Sequence, residues 1–160
     1  TFDRTVTLHL NGDEVRVFHV ENAHTDGDAI VHFTKANAMH LGDVYFNGMY
    51  PFVDTSSGGG LRGLIRAVDR ILEVADERTK IIPGHGPLAT RAELQEYRRM
   101  LQTVADRVAA LIAQGKSAEE VLAARPTAEF DEQWGRSFFP PDRWVPMVYA
   151  DLAREAGAAR

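Results

Sequence analysis

Lys80-Ile81-Ile82-Pro83-Gly84-His85-Gly86-Pro87 reads as a short apolar strand that runs into a tight turn carrying one histidine. Just beyond it, Thr90 and Glu93 stand three residues apart ahead of an apolar run, the spacing of a capping box that opens a helix. Along that helix Leu94, Tyr97, Leu101, Val104, Val108 and Leu111 recur at steps of three and four, a narrow buried seam, and Gly115 ends it. A strand, a turn bearing His85 and a long helix together form the unit from which the rest of the chain is read.

Upstream, the first third reads as β-structure. Val6, Leu8 and Leu10 alternate with polar residues, and Asn11-Gly12 is a strong hairpin signal because both residues tolerate positive φ. Val15, Val17 and Val20 continue in a second run. Ala29–Phe33 and Ala38–Leu41 are two further short apolar runs, expected as neighbouring strands. A loop follows from Asp43 to Gly58, carrying Tyr45, Phe46, Tyr50 and Phe52; loops of that length are often functional. Those rings are expected either to pack on the sheet or to line a pocket. Leu61, Leu64, Ile65, Val68, Ile71, Leu72 and Ala75 then form one helical stripe.

Downstream, Ser117 and Glu120 cap a second, short helix that Pro126 stops, and residues 142–156 form a terminal helix. Strands first and helices after, with one late strand, give an α/β fold: a mixed sheet covered by helices on one side. Residues 1–160 are expected as a single domain, with 112–160 as a helical extension.

Composition narrows the function. The chain has 160 residues, 44% of them hydrophobic, enough for one domain with a substantial core. Its net charge of -5, with acids and bases mixed, argues against a nucleic-acid partner bound through phosphates. There is no cysteine, which excludes disulfides, thiolate zinc sites and a cysteine nucleophile. No apolar run approaches the ~20 residues of a membrane helix, so no membrane partner is expected. No signal peptide is visible. A soluble protein is expected, with the choice between cytoplasm and periplasm open. The first residue is Thr1, and the chain is expected to be a processed protein or a piece of a longer one.

Three segments carry residues suited to chemistry: Ala23-His24-Thr25-Asp26-Gly27-Asp28 before a strand, Leu41-Gly42-Asp43 after one, and Pro83-Gly84-His85-Gly86-Pro87 after another. Each sets a His or Asp where a strand meets a loop, from which side chains distant in sequence can converge. Two imidazoles and a carboxylate suit Zn²⁺ and related divalent ions. Taken singly, each is equally a turn residue beside a glycine. His9, His19, His32 and His40 fall inside strand patterns and read as sheet or surface residues. Asp26 and Asp28 read as turn formers or caps of the following strand.

In order, a His-Thr-x-Gly-Asp, a Gly-Asp and a Gly-His-Gly before a long helix resemble the second half of the metallo-β-lactamase superfamily. Gly42-Asp43 running on to Tyr45-Phe46-Asn47-Gly48 and Tyr50-Pro51-Phe52-Val53-Asp54 is similar to a subgroup of cyclase-like metallo-hydrolases. The resemblance runs from about Val6 to about Leu111, and the tail beyond carries none of the superfamily's motifs. It implies half of an αββα sandwich. It also implies roles: His24 as the third imidazole of a first metal site, Asp43 as the carboxylate bridging two metals, and His85 as a ligand of the second site. His24 and Asp43 would then be the catalytic pair, and Asn47 and Tyr50 candidate substrate contacts. The superfamily's His-x-His-x-Asp-His fingerprint, which belongs upstream, is absent from this chain.

The resemblance further implies a zinc-dependent, dinuclear hydrolase acting on an ester, amide or related bond of a small molecule. With part of its ligand set missing, this chain alone is expected to bind metal weakly or not at all and to hydrolyse poorly. Half of a sandwich leaves an apolar sheet face exposed, so the chain is expected to dock on a missing N-terminal half or on a second copy as a homodimer. The competing reading is a non-catalytic α/β dimerisation or interaction module on the same half-fold.

Overall fold

The computed structural model describes residues 2–158. Five strands form one sheet in the order β1-β2-β3-β4-β5: β1 Thr5–Leu10, β2 Asp13–His19, β3 Ala29–Phe33, β4 Ala38–His40 and β5 Lys80–Ile82. The first four run antiparallel to their neighbours and β5 pairs parallel to β4, so the sheet is mixed, as expected. The β1–β2 turn is built on Asn11 and Gly12 with φ of 53° and 74°. That is the pair of left-handed residues whose twist matches a two-residue hairpin.

The described residues form five helices, α1 Leu61–Val74, α2 Arg91–Ala113, α3 Ala118–Ala123, α4 Asp131–Trp134 and α5 Pro141–Ala158, and all but α4 follow the sequence signals. Both expected capping boxes are present, Thr90 with Glu93 and Ser117 with Glu120. The one-turn helix α4 has no sequence forecast, being too short for periodicity to show.

Side chains alternate across the sheet, and the strand register sorts them. Phe18, Ile30, Met39 and Ile81 point to one face, where α1 and α2 bury them. Val6, Leu8, Val15, Val17, Val31 and Phe33 fall on the other, which no helix among the described residues covers. The helices are therefore all on one side, as the order of elements implies.

Two expectations are revised. The 43–58 segment is not simply an open loop: it contains short 3-10 turns at Gly42–Val44 and Thr55–Ser57, and Tyr45, Phe46 and Tyr50 are buried in it. The 112–160 tail is more than an appendage. Val121, Phe130, Trp134, Trp144, Val145, Val148 and Leu152 join the same core as the sheet and α1. The Trp144 indole N–H donates to the Pro51 carbonyl at 2.8 Å, tying α5 to the 43–58 segment. No helix among the described residues is long and apolar enough to cross a membrane.

Candidate metal centre

Topology brings the three sequence segments to one rim. Both β2 and β4 are antiparallel to β3, hence parallel to each other, and β5 is parallel to β4. The segments that leave the C-terminal ends of β2, β4 and β5 therefore emerge together. They carry His24, Asp43 and His85.

Backbone hydrogen bonds lace the rim. Leu41 N–H donates to the Ile82 carbonyl at 2.9 Å, Gly84 N–H to Gly42 at 2.7 Å, and Asn47 N–H to His85 at 2.9 Å. The Asp54 N–H donates to the His24 carbonyl at 2.8 Å, fastening the third segment. Gly84 is required by close approach. A Cβ there would lie 2.3 Å from Asp43 Oδ1 and 2.6 Å from the Gly42 carbonyl oxygen, closer than real Cβ contacts come.

The side chains meet around Asp43. His85 Nε2 lies 3.3 Å from Asp43 Oδ1, and His24 Nε2 lies 3.8 Å from Asp43 Oδ2. Each imidazole thus faces a different carboxylate oxygen. Two donors held at 2.0–2.1 Å by one tetrahedral ion sit roughly 3.3–3.4 Å apart. The His85–Asp43 separation fits that spacing, and the His24–Asp43 separation is slightly wider. The two imidazoles thus approach the carboxylate from its two oxygens. Among the described residues, no three His, Asp or Glu side chains form a complete metal-binding group. The residues present fit one bridging corner of a two-metal site, with the remaining donors outside this set.

Neighbouring groups flank the imidazoles. Asp28 Oδ1 lies 3.7 Å from His24 Nδ1, and the Asp28 carboxylate accepts from the Thr25 N–H at 2.9 Å and from the Thr25 hydroxyl at 3.2 Å. Asp28 is the turn former expected from sequence, and it also sits behind the imidazole, where a ligand histidine commonly has a carboxylate. Phe46 stacks on the His85 ring at 4.7 Å between centroids, and Phe52 meets the His24 ring edge-on at 5.8 Å. Beneath, Tyr45 and Tyr97 pack at 4.8 Å, and burial pushes both phenols well above their ordinary range, so they remain neutral.

Of the two candidate substrate contacts, Tyr50 is turned into the core and Asn47 sits in the rim beside His85. Tyr50 does not face the site: it is fully buried, stacked on Trp144 at 4.2 Å, and its hydroxyl donates to Asp131 at 2.8 Å. Asp131 lies in the tail, whose packing the local sequence pattern does not reveal. Asn47 is nearly buried, and its side-chain amide donates to the Pro87 carbonyl at 3.0 Å, bracing the His85 turn. Sequence reasoning missed Phe139, which stacks on Phe52 at 5.6 Å. The available signal was the Phe138-Phe139 pair wedged between Ser137 and Pro140, an apolar pair in an otherwise polar turn.

No protein-family model and no curated protein matches this sequence. Solved structures do match. A metallo-beta-lactamase from Pontibacter korlensis superposes with a TM-score of 0.56 at 19% identity, over 64% of this chain and 47% of its own. A stereoselective inverting sec-alkylsulfatase from Pseudomonas sp. gives a TM-score of 0.72 at 15% identity, over 93% of this chain and 25% of its own. A metallo-beta-lactamase family protein from Thermus thermophilus gives 0.66 at 19% identity, over 98% and 49%. The chain therefore has the metallo-β-lactamase fold in part, spanning a quarter to a half of the length of these structures. Coverage of 93% or more leaves out far fewer residues than the tail contains, so the alkylsulfatase and the Thermus protein share most of that tail's architecture.

Proposed function

We propose that this chain is the C-terminal portion of a dinuclear, zinc-dependent hydrolase, with Asp43 as the carboxylate shared between the metals. The observation that supports this reading is the placement of two imidazoles on opposite oxygens of one carboxylate, at 3.3 and 3.8 Å. A His₂Asp donor set is borderline-hard and suits zinc, with iron or manganese as alternatives.

In this reading His24 and His85 would each hold a metal, and Asp43 would be the carboxylate common to both. Asp28 would stand behind the His24 ring, 3.7 Å from Nδ1, on the side where a ligand histidine commonly has a carboxylate. When bound, the metals would supply a water made acidic, from a pKa of ~15.7 to near neutrality, and a Lewis acid for the bond to be cut. The upstream fingerprint donors come from outside these 160 residues.

The uncovered sheet face belongs to the same proposal. The Pontibacter and Thermus structures are about twice as long as the matched region. A second sheet supplied by such additional chain would cover the apolar row from Val6 to Phe33. For the isolated chain, self-association through that face is the expected substitute. A monodisperse monomer in sedimentation, with that face open, would count against both.

Calorimetric titration of the isolated chain with Zn²⁺ is expected to show weak or no binding, whereas a longer protein carrying the fingerprint is expected to take up two equivalents and lose both tightness and activity in Asp43→Asn. Retention of two tightly held ions by that variant would overturn the assignment.

A further inference from the structure

The rim carries an apolar ladder that the metal reading leaves unused. It begins at the His24 ring, which Phe52 meets edge-on at 5.8 Å. Phe52 stacks on Phe139 at 5.6 Å with the rings 11° apart, and Phe139 in turn meets Phe138 at 5.2 Å. Phe52 comes from the segment after β4, and Phe138 and Phe139 come from the turn before α5, so two distant parts of the chain build one surface. Both ends of the ring row are open, Phe52 at 38% and Phe138 at 73% exposed, and Phe139 between them is half-buried.

A single exposed phenylalanine needs no explanation, but three joined rings that start at a candidate ligand do. The tail is tied to this surface by Trp144 on α5, which is fully buried and donates to the carbonyl of Pro51, the residue before Phe52. Phe46, on the His85 side, is buried and stacked, so the apolar lining is one-sided: it extends from His24 outward.

We infer that this ladder binds the apolar part of the substrate, an alkyl or aryl group several carbons long, leaving the bond to be cut beside Asp43. The inference rests on the hydrolase reading for the identity of the ligand as a substrate, and not for the binding itself. Three rings in a row offer contact to a flexible chain or a flat ring and no hydrogen-bond donor that would select a polar group. A short polar substrate would leave them in water.

Neutral alcohols test the binding without any metal. Each methylene withdrawn from water is worth about fourfold in affinity, so 1-octanol is expected to bind about fifteenfold more tightly than 1-butanol if two of its four additional methylenes are covered. Aromatic NMR signals of Phe52, Phe138 and Phe139 should move on titration. Phe138→Ser, at an exposed position that should not disturb folding, and Phe52→Ala should each reduce the octanol preference to threefold or less, with circular dichroism confirming the fold. Asp43→Asn should leave the preference unchanged. Equal affinities for the two alcohols, or shifts confined to the open sheet face at Leu8, Leu10 and Phe33, would overturn the inference. Loss of the preference in a longer protein carrying the rest of the fold would mean that additional chain covers the rings, and would overturn it equally. Absence of metal-dependent hydrolysis with the octanol preference intact would defeat the hydrolase reading alone.

Discussion

The two faces of the sheet are made from the same kinds of residues and have different fates. On the helix-covered face Phe18, Ile30, Met39 and Ile81 are all buried, and α1 and α2 close over them. On the other face Leu8, Leu10 and Phe33 remain 43%, 56% and 36% exposed. Hydrophobic pattern alone does not distinguish these faces, since β2 and β3 carry apolar residues on both. The difference shows that apolar content marks what a strand is able to bury, and that the supply of covering elements decides what it does bury. The candidate metal centre lies on the rim between them, built by segments whose backbone is anchored on the closed side.

Substitutions test this contrast directly. Met39→Ala on the closed face should cost the most, ~2–5 kcal/mol by urea unfolding, because the fully buried side chain leaves a cavity. A loss below about 1 kcal/mol would mean that the closed face is not the folding core. Gly84→Ala, at the rim, should cost ~1–3 kcal/mol through overpacking against Asp43 and Gly42. It should also weaken metal binding in the longer protein, read by calorimetry, because Asp43 must move. Tyr50→Phe should cost ~0.5–1.5 kcal/mol by removing the hydrogen bond to Asp131, a test of whether the tail belongs to the core.

A smaller effect is expected from pH at Asp54, which caps the Thr55–Ser57 turn and donates its backbone N–H to His24. Hydrogen bonds from the Ser56 and Ser57 side chains, with those from their backbone N–H groups, hold the Asp54 carboxyl down from 3.8 to about 2. A depressed carboxyl stabilises the folded turn above its unfolded value and loses that contribution as pH falls through about 2. NMR amide shifts of Ser56 and Ser57 should therefore titrate below pH 3.8 and not above it. The smallest change belongs to the open face. Leu8→Ser should alter the stability of the monomeric chain by no more than about 0.5 kcal/mol, while reducing any self-association seen in sedimentation.

Much of the local structure is legible in the sequence. Asn11-Gly12, the two capping boxes and the helical stripes are short-range signals with local physical causes, and the structure holds each at its expected place. The site is legible as three segments: His24, Asp43 and His85 stand out by residue type beside glycine at strand ends. Their convergence is not, because it depends on β2, β4 and β5 running in the same direction. Tyr50 departs from expectation for a related reason. Its neighbours in sequence make it look like a loop residue, whereas Asp131 and Trp144, more than 80 residues further on, take its hydroxyl and its ring. Phe138 and Phe139 escape notice because nothing near them in sequence marks the 43–58 segment as their partner.

By itself, then, the sequence determined which stretches are strands and helices, which residues offer metal-ligating atoms, and that a fingerprint of upstream ligands is lacking. Those properties follow from backbone propensity and side-chain chemistry, which act over a few residues. Only the tertiary structure decided that two imidazoles address opposite oxygens of Asp43, that the tail closes the core, and that one sheet face stays open. These depend on strand direction and on packing between segments far apart in the chain, where burial against a partner outweighs any local preference.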